Sequence, residues 1–228
     1  MKKFSNTYIF IYSTILVAVV AVVLAVVAMS LKPRQEANLL TEKHQMILST
    51  IGDRPEAAEA DALYAERITE QTTEAGDTYY LYDNGSIFRL DGNGLWGKIW
   101  GYIAFDKEFN VVGAVFDHAS ETPGLGAEIA TDWFAAQFKD NKTIIDNGQI
   151  RPIQLVKKAN RDASSRYEVD AITGGTMTSN GMNDMLTQCL TEKYADVINQ
   201  LRNEAPAAES VEDAAQPEEA DANVEANN

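Results

Sequence analysis

The stretch Tyr79-Tyr80-Leu81-Tyr82-Asp83-Asn84-Gly85-Ser86-Ile87-Phe88-Arg89-Leu90 decides the fold class of this 228-residue chain. Two short runs rich in aromatic and β-branched residues flank a polar turn, and Asn-Gly tolerates the positive φ of a tight hairpin. A second turn, Asp91-Gly92-Asn93-Gly94, follows at once. Residues 99–105 and 111–116 then form another apolar pair around a polar break. Strands separated only by turns predict an antiparallel meander, because a βαβ unit needs a helical crossover between its strands.

Helical patterns lie on both sides of the meander. Thr131 is placed to cap a short helix carrying Phe134 and Phe138 at i, i+4. Residues 150–157 fit one further strand. A long helix is expected from about Ser179 to Leu201, since Met182, Met185, Leu186, Leu190, Tyr194, Val197, Ile198 and Leu201 fall on one stripe. The fold class is therefore α+β: an antiparallel sheet with packed helices.

Upstream, the 21 residues 9–29 are apolar apart from Tyr12, Ser13 and Thr14. As a helix they span about 31 Å, one bilayer core. Lys2 and Lys3 precede them and Leu31-Lys32-Pro33-Arg34 follows. The run is longer than a secretory leader's apolar core, so an uncleaved transmembrane anchor is expected rather than a cleaved leader. Basic residues on both flanks leave its orientation open. Residues 36–68 are polar and helical, with Leu40, Ile47 and Ile51 near helical spacing and Gly52 and Pro55 as stop signals.

At the other end, residues 204–228 carry eight acids and no base, too little apolar surface to fold, and are expected to be a disordered tail. The expected organisation is 1–31 start and anchor, 32–70 helical connector, 71–203 folded domain, and 204–228 tail. The formal net charge of −15 excludes nucleic-acid binding and electrostatic docking on anionic lipid. The single cysteine, Cys189, excludes an internal disulfide and lies on the apolar helix stripe, as a buried thiol would. His44 and His118 have no ligand-spaced partners, so no metal site is expected.

Two loops can carry chemistry. Asp170-Ala171-Ile172-Thr173-Gly174-Gly175-Thr176-Met177-Thr178-Ser179-Asn180-Gly181 sets glycines and hydroxyls against a helix start. That composition suits either a helix cap or a phosphate held by free N–H groups at the positive end of the helix dipole. Glu121-Thr122-Pro123-Gly124-Leu125-Gly126 lacks the lysine of a phosphate loop and opens no dinucleotide fingerprint. It is a tight turn able to present backbone to a planar ligand. Glu121 is a possible general base, but no second carboxylate completes a dyad.

Together these segments resemble the FMN-binding domain family, and within it the C subunits of Na+-translocating NADH:quinone reductases. Residues 170–176 match the family's flavin-attachment motif, Asp-x-x-Ser/Thr-Gly-Ala-Thr, except that Gly175 stands where alanine is usual. Leu31 to Asn38 and Gly94-Leu95-Trp96-Gly97 also resemble the C subunits. The resemblance implies FMN held covalently by a phosphoester to Thr176, with Asp170, Thr173, Gly174, Gly175, Thr178 and Ser179 around the attachment. It implies Glu121, Thr122, Gly124, Leu125 and Gly126 against the flavin, and Leu125 on the isoalloxazine. A separate flavin transferase using FAD, the other subunits of the membrane complex and lipid around one helix are the implied partners. The implied setting is the bacterial inner membrane, with a cytoplasmic N-terminus and a periplasmic flavin domain. The implied function is electron transfer between NADH and quinone. The related alternative is the G subunit of a ferredoxin:NAD+ oxidoreductase complex, and the unrelated one is a cofactor-free membrane scaffold.

Overall fold

The structure, a computed structural model, describes residues 5–139 and 141–204. The segment expected to be a disordered tail lies outside the described residues from 205 onward, as do Lys2 and Lys3. Helix α1 covers Asn6–Thr50 without a break, 45 residues including Pro33, or about 67 Å. The apolar run and the polar helix after it, distinct by composition, form one rod. Its N-terminal part is exposed, with Phe10 at 72% and Val17 at 67%. So long an uncovered apolar surface is foreign to a water-facing helix, and the helix is long and apolar enough to cross a membrane.

The rod stops where its glycine lies. Gly52 takes φ 95°, Gly52 N donates to Ser49 O and Asp53 N to Leu48 O. This pair of bonds is a Schellman cap, which needs a left-handed residue and so favours glycine. Helix α2 (Ala57–Arg67) follows, then a five-stranded antiparallel sheet in sequential order: β1 (Thr69–Thr72), β2 (Thr78–Tyr82), β3 (Gly85–Asn93), β4 (Lys98–Asp106) and β5 (Val111–His118). The meander is as expected, with two differences. β1 is a polar, fully exposed edge strand, so no apolar pattern marks it. β3 runs on to Asn93, pairing with Lys98, so the second turn is Gly94 to Gly97 and not residues 91–94.

The first hairpin closes between Tyr82 and Gly85, but neither Asn84 nor Gly85 takes positive φ. Glycine is required at 85 because a Cβ there would strike the Phe105 carbonyl on the neighbouring strand.

Both faces of the sheet are covered, which is why β4 is buried almost continuously instead of alternately. On one face the last turns of α1 and helix α2 pack Ile47, Leu48, Tyr64 and Ile68 on Tyr80, Ile87, Tyr102 and Ala104. Residues 44–70, part of the expected connector, thus build a second core. His44 stacks on Tyr64 at 3.8 Å, and Tyr64 OH donates to Glu70. On the other face lies the main core. Helix α3 (Asp132–Lys139) brings Phe134 and Phe138 to within 5.6 and 5.0 Å of Phe116, each buried phenyl adding roughly 1.5–3 kcal/mol. Thr131 Oγ1 accepts from Phe134 N at 3.3 Å, the expected cap.

A small hairpin, β6 (Ile145–Asp146) and β7 (Gln149–Ile150), leads to β8 (Gln154–Val156), which pairs in parallel with β9 (Glu168–Asp170). The expected strand over 150–157 is thus split between two small sheets. The C-terminal helix is also divided: α4 (Thr176–Gln188), a π turn over Cys189–Lys193, and α5 (Ala195–Glu204). The extra residue in the turn aims Tyr194 into the core beside Phe88, 4.9 Å away, where its hydroxyl donates to Thr78 O. Cys189 is buried on this helix, as expected.

Candidate functional site

Helix α4 starts at Thr176, three residues before the expected start, so Thr176 occupies its first turn. Gly175 is the N-cap, and no side chain caps the helix. The nearby hydroxyls serve other ends. Ser179 Oγ accepts from Ile172 N at 3.1 Å, folding the loop back on the helix. Thr178 Oγ1 donates to Glu121 Oε2 at 2.7 Å. The Thr176 side chain remains exposed at the positive end of the helix dipole.

Gly174 takes φ 77°, and a Cβ there would lie 2.7 Å from Leu125 Cδ2. Two loops distant in sequence therefore meet, backbone against side chain, directly before Thr176. Gly124 supplies the other left-handed residue, φ 74°, in the turn that carries Leu125.

Two clefts flank Thr176. One, of about 350 Å³, lies between the β3–β4 tip, the glycine-rich loop and the start of α4. Its rim is apolar and exposed: Trp96 66%, Met177 59%, Leu95 49%, Leu125 41%. The other, of about 320 Å³, is the more polar of the two and is bordered by Lys157, Lys158, Thr173, Ser179 and Asn180, with Leu155 and Ile172 beside them. A larger cleft of about 460 Å³ between α1, β5 and α3 contains none of the motif residues. Its size therefore does not make it the site of the loop chemistry.

Glu121 ties the apolar cleft together. It is 4% exposed, and its Oε1 accepts from Trp96 N at 2.8 Å. Burial alone would push this carboxyl up. Hydrogen bonds from Thr178 and from the Trp96 and Leu95 backbones, with His118 nearby, outweigh burial and hold it below the usual carboxylate range. A Cβ on Gly94 or Gly126 would collide with the carboxylate, so both glycines are needed for its seat. With both oxygens engaged, Glu121 acts as a tie and not as the general base its position allowed.

Asp170 is placed elsewhere. It ends β9 and pairs with Arg161 at 3.2 Å, in a separate cleft lined by Trp133, Gln137 and Lys142. Its backbone N donates to Gln137 Oε1. Of the motif residues, Gly174, Gly175, Thr176 and Thr178 border the apolar cleft together with Glu121, Thr122, Leu125 and Gly126. Thr173 and Ser179 border the polar cleft. Trp96 and Met177 also border the apolar cleft, and neither stands out as a contact in the sequence. Their signal was a large apolar side chain amid glycines and threonines. Among the described residues no His, Cys, Asp and Glu group could hold a metal.

The FMN-binding domain family matches residues 94–191, a span holding both loops. The C subunit of the Na(+)-translocating NADH-quinone reductase of Neisseria meningitidis MC58 is 25% identical over 251 residues, covering 88% of this chain and 95% of that protein. The Vibrio anguillarum C subunit is 37% identical over 109 residues, covering 45% of this chain and 42% of its own length. The solved structure of Shewanella oneidensis NqrC superposes with a TM-score of 0.63 at 19% identity, covering 71% of this chain and 97% of that one, which shows the fold alone. The crystal structure of the C subunit from Parabacteroides distasonis superposes with a TM-score of 0.65 at 32% identity, over 74% of this chain and 96% of that one. At that identity over nearly all of a solved relative, the chain belongs to the family of C subunits of Na(+)-translocating NADH-quinone reductases.

Proposed function

We propose that this chain is the FMN-bearing electron-transfer subunit of a Na+-translocating NADH:quinone reductase, with the flavin phosphate esterified to Thr176. The observation that carries this reading is the exposed Thr176 side chain in the first turn of α4, at the border of an apolar and a polar cleft. The residues fit the group. Leu95, Trp96, Leu125 and Met177 offer an apolar site for a ring system, and glycine at 174 lets Leu125 close on the backbone. The helix start favours a phosphodiester's negative charge by about 0.3–1 kcal/mol. When bound, the flavin supplies the redox chemistry, while the protein orients the ring and excludes water from it.

Attachment needs FAD and a separate flavin transferase. The Thr176 oxygen forms the new P–O bond to the FMN phosphorus, AMP leaves with the pyrophosphate bond, and the hydroxyl proton is released. Asp170 lies away from the ring cleft, so its role is to shape the motif the transferase meets, through Arg161 and Gln137. The apolar part of α1 crosses the bacterial inner membrane and holds the domain on the periplasmic side, beside the other subunits of the complex.

The test is in-gel flavin fluorescence of full-length chain from its native host after denaturing electrophoresis, beside Thr176→Val. A fluorescent wild-type band with a dark variant supports attachment at Thr176. A dark wild-type band in cells with an active flavin transferase overturns it.

A further inference from the structure

Glu121 is a buried acid that the proposed function leaves without a role. It is 4% exposed, yet no lysine or arginine pairs with it among the described residues. Instead its carboxylate is held by dipoles from two directions. Trp96 N and Leu95 N approach from the β3–β4 tip, and Thr178 Oγ1 approaches from α4. On its own loop, Glu121 N donates to His118 Nδ1 at 3.2 Å. Such donors keep a buried carboxylate ionised without cancelling its charge. Glu121 is also one of the residues that line the apolar cleft.

We infer that Glu121 is a positioning residue that fixes both walls of the flavin cleft and, through a negative charge that no lysine or arginine neutralises, lowers the reduction potential of the ring. This inference rests on the proposed function, since it requires flavin at Thr176. Two consequences follow from elementary electrostatics. An anion beside a ring in a poorly solvated cleft opposes the arrival of an electron, and the effect grows as the local dielectric falls. Each donor to the carboxylate partly screens that field, so removing a donor strengthens it. The mechanical part is separate: the Trp96 amide has its carboxylate partner only while Glu121 is present, and the tip that carries Leu95 and Trp96 is otherwise an exposed turn.

The experiment measures the flavin reduction potential by spectroelectrochemistry on the full-length, flavin-loaded chain in detergent. Glu121→Gln keeps the shape and removes the charge, and its potential is expected to shift positive. Thr178→Val keeps the charge and the shape but removes one donor, and its potential is expected to shift negative. Opposite shifts separate a charge effect from simple loosening, which would move both variants the same way. If Glu121→Gln does not fold, the negative shift in Thr178→Val carries the test by itself. Unchanged potentials, or shifts of one sign in both, overturn the inference.

A wild-type chain that takes up no flavin in the presence of FAD and its transferase sinks the proposed function instead. The clamp is then tested without flavin, by fluorescence anisotropy of Trp96 in a Trp100→Phe, Trp133→Phe background. Lower anisotropy in Glu121→Ala, which removes the acceptor of the Trp96 amide, supports the clamp, and equal anisotropy overturns it.

Discussion

Ile172 occupies the space that a side chain at residue 175 would need: a Cβ built on Gly175 lies 2.8 Å from Ile172 Cγ2 and 3.0 Å from its Cβ. The attachment motif of the resembled family has alanine at this position, and here glycine and isoleucine are fitted to each other. Gly175→Ala should therefore destabilise the chain by about 1–3 kcal/mol, the usual range for overpacking. Adding Ile172→Ala removes the Cγ2 that the new Cβ meets, so the double variant should lose less than the two single losses together. Thermal unfolding of the two single variants and the double variant checks this, and strictly additive losses would show that the two residues are not coupled.

Gly174→Ala faces two penalties at once. A non-glycine residue at φ 77° is strained by roughly 1–2 kcal/mol, and its Cβ meets Leu125. The loop before Thr176 should shift, so the expected result is lower flavin occupancy per chain at near-normal expression. Leu125→Ala in the same chain should relieve the clash but not the φ strain, giving partial recovery by in-gel fluorescence.

Cys189 should resist alkylation in the folded chain. It is 4% exposed, burial pushes its thiol up, and it contacts the Asp91 carbonyl. Iodoacetamide at neutral pH should label it only after denaturant is added, as mass spectrometry would read. Rapid labelling without denaturant would show that the α4–α5 junction opens in the native state.

Stability should fall on acidification with a sign set by two carboxyls. The hydrogen bond from Tyr64 is the main reason Glu70 lies below its ordinary value, and Glu121 lies below it as well. Groups depressed in the folded state stabilise it fully above the unfolded carboxylate value of about 4.3, and this stabilisation is lost as pH falls through the folded value. Glu121 should dominate because Glu70 is half exposed and screened by solvent. Thermal midpoints of the full-length chain in detergent should hold level from pH 7 to about 5 and drop below that. Thr178→Val should show a shallower acid drop than wild type.

Much of this chain is legible from residue order alone. Hydrophobic period, turn residues and caps specify local structure, because each acts within a few residues. The four apolar strands of the sheet, the Thr131 cap, the glycine stop after α1 and the membrane-length helix all follow from such short-range signals. The two candidate loops are picked out for the same reason, since clustered glycines and hydroxyls at a helix start mark a place where backbone can meet a ligand.

What the tertiary structure decided depends on residues far apart in sequence. Polar β1 becomes a strand only because β2 offers it a ladder. The end of α1 and helix α2 become core because the outer face of the sheet is apolar and has to be covered. Glu121 had the look of a base in the sequence, and its role as a tie emerges only where Trp96, 25 residues before it, and Thr178, 57 residues after it, converge on its carboxylate. Asp170 shares a motif with Thr176 yet faces another cleft, because β9 turns into the loop before α4 between them. Sequence sets which residues can act locally, and the packing of distant segments sets which of them meet, since a contact's energy depends on separation in space and not along the chain.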